Sequence, residues 1–245
     1  TGSEGGEPMK VGVAVVDVMA GLYASNAIQG ALIHQLRTGE GQHIDLALLD
    51  VQVATLANQA MNYIATHKNP KRLGNAHPNI VPYQAFATFD GHLILAVGND
   101  GQFQRFCEVA GDVQMASNSL YTSNSLRVAN RLTLVPKVAY LLEQHTTQWW
   151  LDALNKVSVP CGPICTLDQV FENPQIKARG MKISLEHQKL GSVESVANPI
   201  KLSATPLQYK QAPPMLGEHT QVVLSDWLAM EHSEYSDLLS TNIIA

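Results

Sequence analysis

The stretch VGVAVVDVMAGLYASNAIQGALIHQLRTGEG, residues 11–41, constrains this chain more than any other. Leu22, Tyr23, Ile28, Leu32, Ile33 and Leu36 recur at helical spacing and predict a helix over Met19 to Leu36. Gly21, Ala24, Ser25, Ala27, Gly30 and Ala31 lie between them, and side chains that small let a second backbone approach closely. Arg37 in the last turn and the glycines of RTGEG end the helix, a cation and flexible residues being favoured there. Asp17 is the one charge in the run from Val11 to Ala27. It has two readings: a carboxylate capping the helix N-terminus, worth about 0.3–1 kcal/mol through the dipole and free amides, or a nucleophile or general base held by the same donors.

Beyond that helix, QHIDLAL, residues 42–48, alternates as a short strand does, and residues 49–65 predict a second long helix. Residues 66–84, THKNPKRLGNAHPNIVPYQ, carry three prolines among Gly and Asn, with a basic cluster of His67, Lys68, Lys71 and Arg72, and read as a linker or functional loop. YQAFATFDGHLILAVGN reads as two strands around Asp90-Gly91. Helical patterns follow over residues 101–111, 125–143 and 147–157, the last capped by Thr146 or Thr147. A Pro-Gly-rich turn near Cys161, a short helix from about Leu167 stopping at Pro174, strand-like alternation over residues 181–205 and a last helix after PPMLGEHT complete a mixed α and β chain. AVGNDGQF has neither GxGxxG nor GKS/GKT, so it reads as a strand-to-helix turn capped by Asn99 or Asp100, and Trp149-Trp150 reads as packing.

Composition excludes several functions. A net charge of -5 without clustered Lys and Arg argues against nucleic acid as partner. No apolar run reaches the length of a membrane span. Cys107, Cys161 and Cys165 are an odd number without a CxxC pair, which suggests neither a disulfide framework nor a zinc site and fits a reducing, cytoplasmic setting. The nine histidines form no metal set: His34 reads as a surface or interface residue and His43 as a strand residue. His77 stands in a loop constrained by Gly, Asn and Pro, where turn formation competes with a binding role.

Five segments in order, VGVAVVDVMAGLYASNAIQGAL, RTGEGQHIDLALLD, GNAHPNIVPYQAFATFDGHLILAVGN, PCGPICTLDQVFENPQIKARGM and PPMLGEHTQVVL, together resemble the family III CoA-transferases, with wording closest to members that handle dicarboxylates. The resemblance implies an α/β fold: part of a Rossmann-like large domain plus a smaller α+β domain, lacking the N-terminal part of the family fold. Residues 1–66 then form a large-domain segment with the catalytic helix, 67–82 a linker and active-site loop, 83–182 the small domain and 183–245 a return to the large domain. It implies that Asp17 is the nucleophile, with Gly74, Asn75, His77, Asn79 and Tyr83 in the substrate loop. His77 and Asn79 would face an acceptor carboxylate. Where formyl-CoA transferases carry a run of glycines this chain has HPNIVP, a stiffer loop.

The implied substrates are an acyl-CoA and a carboxylic acid acceptor. No metal and no tightly bound cofactor are implied, because the CoA thioester is already activated. Most CoA-binding residues would lie upstream of Thr1, and the family forms interlocked homodimers. An α-methylacyl-CoA racemase shares the implied fold and would use the Asp17 carboxylate with an upstream histidine as an acid/base pair. A catalytically inactive dimerising fragment is the third reading.

Overall fold

The computed structural model describes residues 1–244. They divide into two compact units, Thr1–Ile164 and a second from Cys165 onward. The first unit begins with α1 (Val15–Thr38), α2 (Leu48–Ala54) and α3 (Ala57–Thr66). Helix α1 runs for 24 residues and buries none of them. Its end is the one the sequence predicts: Gly39 adopts φ 79°, which costs a residue without a Cβ little, and its N–H donates to Gln35 O at 2.8 Å. Val18, Leu22, Ile28, Leu32 and Leu36 stay exposed, so an apolar surface runs along most of the helix.

Two expectations fail in this region. Residues 42–47 form no strand and have no ladder partner among the described residues. The long helix over 49–65 is broken between α2 and α3. Thr55 turns its hydroxyl back onto Gln52 O at 2.9 Å, and Ala57 takes φ 46°, which interrupts the helical ladder without any glycine or proline to announce it.

The rest of the first unit has a clear core. Strands β1 (Tyr83–Ala87) and β2 (His92–Ala96) pair antiparallel, with Phe86 opposite Leu93 and Ala87 opposite His92. The connection is therefore the four-residue loop Thr88–Gly91, wider than a two-residue Asp-Gly turn. Helices α4 (Asp100–Val109), α5 (Val113–Ser117), α6 (Asn124–Ala129), α7 (Arg131–Leu142) and α8 (Thr147–Lys156) follow, and β3 (Cys161–Pro163) adds to β2 with Leu95 opposite Cys161. The helical pattern over 125–143 is thus two helices meeting at Asn130. The Pro-Gly turn near Cys161 contains a strand, one ending on a proline that has no N–H to offer a further neighbour.

Leu93, Leu95, Val97, Phe103, Phe106, Leu134, Val138, Leu142, Trp150 and Leu154 are fully buried in one cluster between this sheet and these helices. Trp150 donates its indole N–H to Leu142 O at 2.8 Å, as a buried indole requires, while Trp149 remains 39% exposed and stacks on His145. Burial pushes the Cys107 thiol up to about 12, with Asp112 and Glu108 adding to the effect and Arg127 opposing it. That sulfur is a core atom. The caps follow the sequence: Asn99 accepts from Gln102 N at 2.9 Å, and Thr146, not Thr147, accepts from Trp149 N.

The second unit holds α9 (Leu167–Glu172), α10 (Pro174–Ala178), the antiparallel hairpin β4 (Lys182–His187) and β5 (Gly191–Val196), then α11 (Thr220–Leu228) and α12 (His232–Ser240). Thr166 and Gln169 close a capping box at α9, and Pro174 opens α10 from the position where its missing N–H costs nothing. The alternation over 181–205 becomes strand only as far as Val196. The fold is mixed α/β, and both sheets among the described residues are small and antiparallel. No helix among the described residues is long and apolar enough to cross a membrane.

Candidate active site

Asp17 is the third residue of α1, whose cap position is held by Ala14 without any side-chain hydrogen bond. The capping role open to Asp17 is not taken up. Its side chain is exposed and forms no hydrogen bond or ion pair among the described residues. It lines a cavity of about 850 Å³ whose wall also includes Val13, Val16, Gln59, Lys71, Arg72 and Gly74. That volume lies within the range of about 300–1,000 Å³ usual for small-molecule sites. The α1 N-terminus meets α3, residues 71–74 and Ala76 here, all within the first unit.

Three side-chain cations border the cavity: Lys10, Lys71 and Arg72. Lys10 donates to Val11 O at 2.9 Å, and Arg72 donates to Gly6 O at 2.6 Å. Lys71 forms neither a hydrogen bond nor an ion pair among the described residues. The Gln59 side-chain oxygen is buried and also lacks a partner, an arrangement that folded proteins rarely leave unexplained.

The loop residues predicted from the sequence divide into two groups. Gly74, at φ 61°, lines the cavity beside Ala76. Asn75, His77, Asn79 and Tyr83 do not line it, and their polar groups hold the loop in shape. Asn75 Oδ1 accepts from Ala85 N at 2.9 Å, and His77 Nδ1 accepts from Asn79 N at 3.1 Å. The His77 ring stacks on Tyr83 with centroids 5.2 Å apart. Asn79 and Asn62 exchange side-chain hydrogen bonds of 2.9 and 3.0 Å, tying the loop to α3.

A second set of bonds fastens the same loop to α6 and α7. Asn124 accepts from Val81 N at 3.2 Å and donates to Asn79 O at 2.8 Å. Arg131 donates to His77 O at 3.1 Å and to Pro78 O at 2.8 Å. Arg127, wholly buried, donates to Val81 O at 2.8 Å and to Tyr121 O at 3.0 Å. Its third bond is an ion pair with Asp100 at 2.8 Å, and its guanidinium lies 4.6 Å from the Phe103 ring centre. These carbonyls cannot pair with one another in an irregular loop, so side chains from a packed helix satisfy them. The sequence reading passed over Gln59, Asn124, Arg127 and Arg131, and saw Lys71 only as part of a basic linker.

Comparison with known proteins places this arrangement. The fold is that of a solved CAIB/BAIF family protein from Brucella suis, which superposes with a TM-score of 0.72 at 45% identity over 92% of this chain and 58% of that one. A family model described as CoA-transferase family III matches residues 1–220. The succinate–glutarate CoA-transferase of Agrobacterium fabrum is 47% identical over 237 residues, covering 95% of this chain and 58% of its own length. The human succinyl-CoA:glutarate CoA-transferase is 37% identical over 244 residues, covering 100% and 56%. The chain belongs to CoA-transferase family III. It spans a little over half the length of the curated relatives it matches.

Proposed function

We propose that Asp17 is the nucleophile of an acyl-CoA transferase that moves CoA between small carboxylic or dicarboxylic acids. The observation that carries this reading is a carboxylate without a partner among the described residues, lining a cavity of about 850 Å³ at the positive end of a long helix. Family membership and relatives named for succinate and glutarate support the same reading.

The chemistry runs as two mirrored exchanges. The Asp17 carboxylate attacks the thioester carbonyl of the donor, expelling CoA thiolate and forming a mixed anhydride. The thiolate attacks the Asp17 side-chain carbonyl carbon, releasing the donor acid and leaving an aspartyl-CoA thioester. The acceptor carboxylate displaces CoA from that carbon to form a second anhydride, and the thiolate then attacks the acceptor's acyl carbon, which regenerates ionised Asp17. Free helix N-terminal amides stabilise the carboxylate whenever it is released. The Asn124, Arg127 and Arg131 bonds keep the loop beside the cavity in place.

The exposed apolar face of α1 supports a homodimer or further chain covering it in the working enzyme, since a helix apolar on most sides is a buried one. The test uses the full chain with succinyl-CoA and a panel of acids, quenched with hydroxylamine. A hydroxamate on Asp17, lost together with turnover in Asp17→Ala, is the expected result. Full activity in Asp17→Ala ends the assignment. Deuterium exchange at the substrate α-carbon without an adduct would assign a racemase instead, and neither adduct nor exchange would leave a non-catalytic dimerising piece.

A further inference from the structure

The substrate class of this site can be narrowed through Lys71. A dicarboxylic acid brings two charges into a cavity that already holds Asp17. One carboxylate must approach the Asp17 carbonyl carbon, and the other has to leave bulk water beside it. Stripping a carboxylate of water without supplying a cation is costly, and the repulsion between like charges adds to the cost whenever Asp17 is ionised. A site that accepts such an acid therefore needs a positive group in its wall that is free to turn toward it. Of the cations bordering the cavity, Lys10 and Arg72 keep their charge and further N–H donors, but each is tethered by one bond to a backbone carbonyl of the N-terminal segment. Lys71 alone has no partner among the described residues.

We propose that Lys71 is a specificity-determining residue that receives the distal carboxylate of a dicarboxylic acceptor while its reacting carboxylate addresses Asp17. The proposal rests on the transferase reading of Asp17 and adds the residue that selects a short α,ω-dicarboxylate, the acid class for which the relatives are named, over a monocarboxylate of equal length. Lysine suits the task, as its flexible stem lets one ammonium follow acids of slightly different length. Arg72, the last residue of the same basic cluster, donates to Gly6 O and fixes the backbone next to Lys71.

The experiment compares the full chain with Lys71→Met and Lys71→Arg, measuring kcat/KM for glutarate and for pentanoate with succinyl-CoA as donor. In a double-displacement reaction the acceptor's kcat/KM does not depend on the donor half-reaction. Lys71→Met is expected to lower kcat/KM for glutarate about tenfold to a hundredfold, mainly through KM, the range for losing a charged hydrogen bond. Pentanoate should be unaffected, and Lys71→Arg should keep most of the preference for glutarate. An equal fall for both acids, or no change for glutarate, overturns the proposal. Equilibrium binding of glutarate and pentanoate, followed by calorimetry in the absence of any thioester, separates this failure from that of the transferase reading. If no acid accepts CoA but glutarate binds wild type more tightly than Lys71→Met, the transferase reading fails and Lys71 stands. If glutarate binds both proteins alike, Lys71 fails whatever the turnover.

Discussion

Replacing Arg127 by methionine tests what holds the loop beside the cavity. The arginine is wholly buried, and methionine refills most of the space along its stem, so cavity formation is a small part of the effect. What is lost is polar. Val81 O and Tyr121 O belong to residues 3% and 1% exposed, so water cannot readily replace the guanidinium. A buried acceptor left unpaired costs about 1–3 kcal/mol. The Asp100 carboxylate is 51% exposed and rehydrates, so that ion pair adds only about 0–1 kcal/mol. The expected destabilisation is thus about 4 kcal/mol, or about 8–16 °C in Tm for a unit of this size. Urea unfolding followed by the fluorescence of buried Trp150, in a Trp227→Phe background that silences the second unit, reads it directly. Asp100→Asn is the control and should cost about 1 kcal/mol or less. If Asp100→Asn costs as much as Arg127→Met, the ion pair and not the carbonyl bonds holds this region, and the argument for the loop fails.

Two further outcomes follow from single side chains. Gln59→Met removes the buried oxygen that has no partner among the described residues and should raise stability by about 1 kcal/mol in the same unfolding assay. A variant no more stable than wild type would mean that water already serves this oxygen. Asp90 is held below the usual carboxylate range, first by the Thr147 N–H that donates to it at 2.7 Å and also by the Thr147 and Thr88 hydroxyls. Because its folded-state value is depressed, the stabilisation is present above the unfolded value of about 3.9 and disappears as pH falls through the lower folded value. The Tm difference between wild type and Asp90→Asn should therefore shrink on acidification below about pH 4, and a difference constant with pH would count against it.

How far the chain could be read from its residues depended on whether the deciding interaction was local. The Gly39 end of α1, the Asn99 and Thr146 caps and the β1–β2 hairpin are set within a few residues, and each stands where the sequence puts it. The break at Ala57 carries no glycine or proline, and the alternation of residues 42–48 states a preference for strand without supplying a partner. β3 is three residues long, too short to show a period. At the candidate site, Asp17 stands out as a charge in an apolar run, but the residues alone leave it open between a helix cap and a nucleophile. The roles of the loop residues were not legible, since composition marks a turn but cannot say which of its polar groups are already engaged. His77 Nδ1 is engaged within two residues, by Asn79 N, whereas the carbonyl of the same residue is engaged by Arg131, 54 residues away. Only the tertiary bonds separate the loop's polar groups into those that hold the backbone and those that remain for a ligand. By that criterion Lys71, which lines the cavity and forms no bond among the described residues, is a candidate to hold a ligand, while its neighbour Arg72 is tethered to Gly6 O.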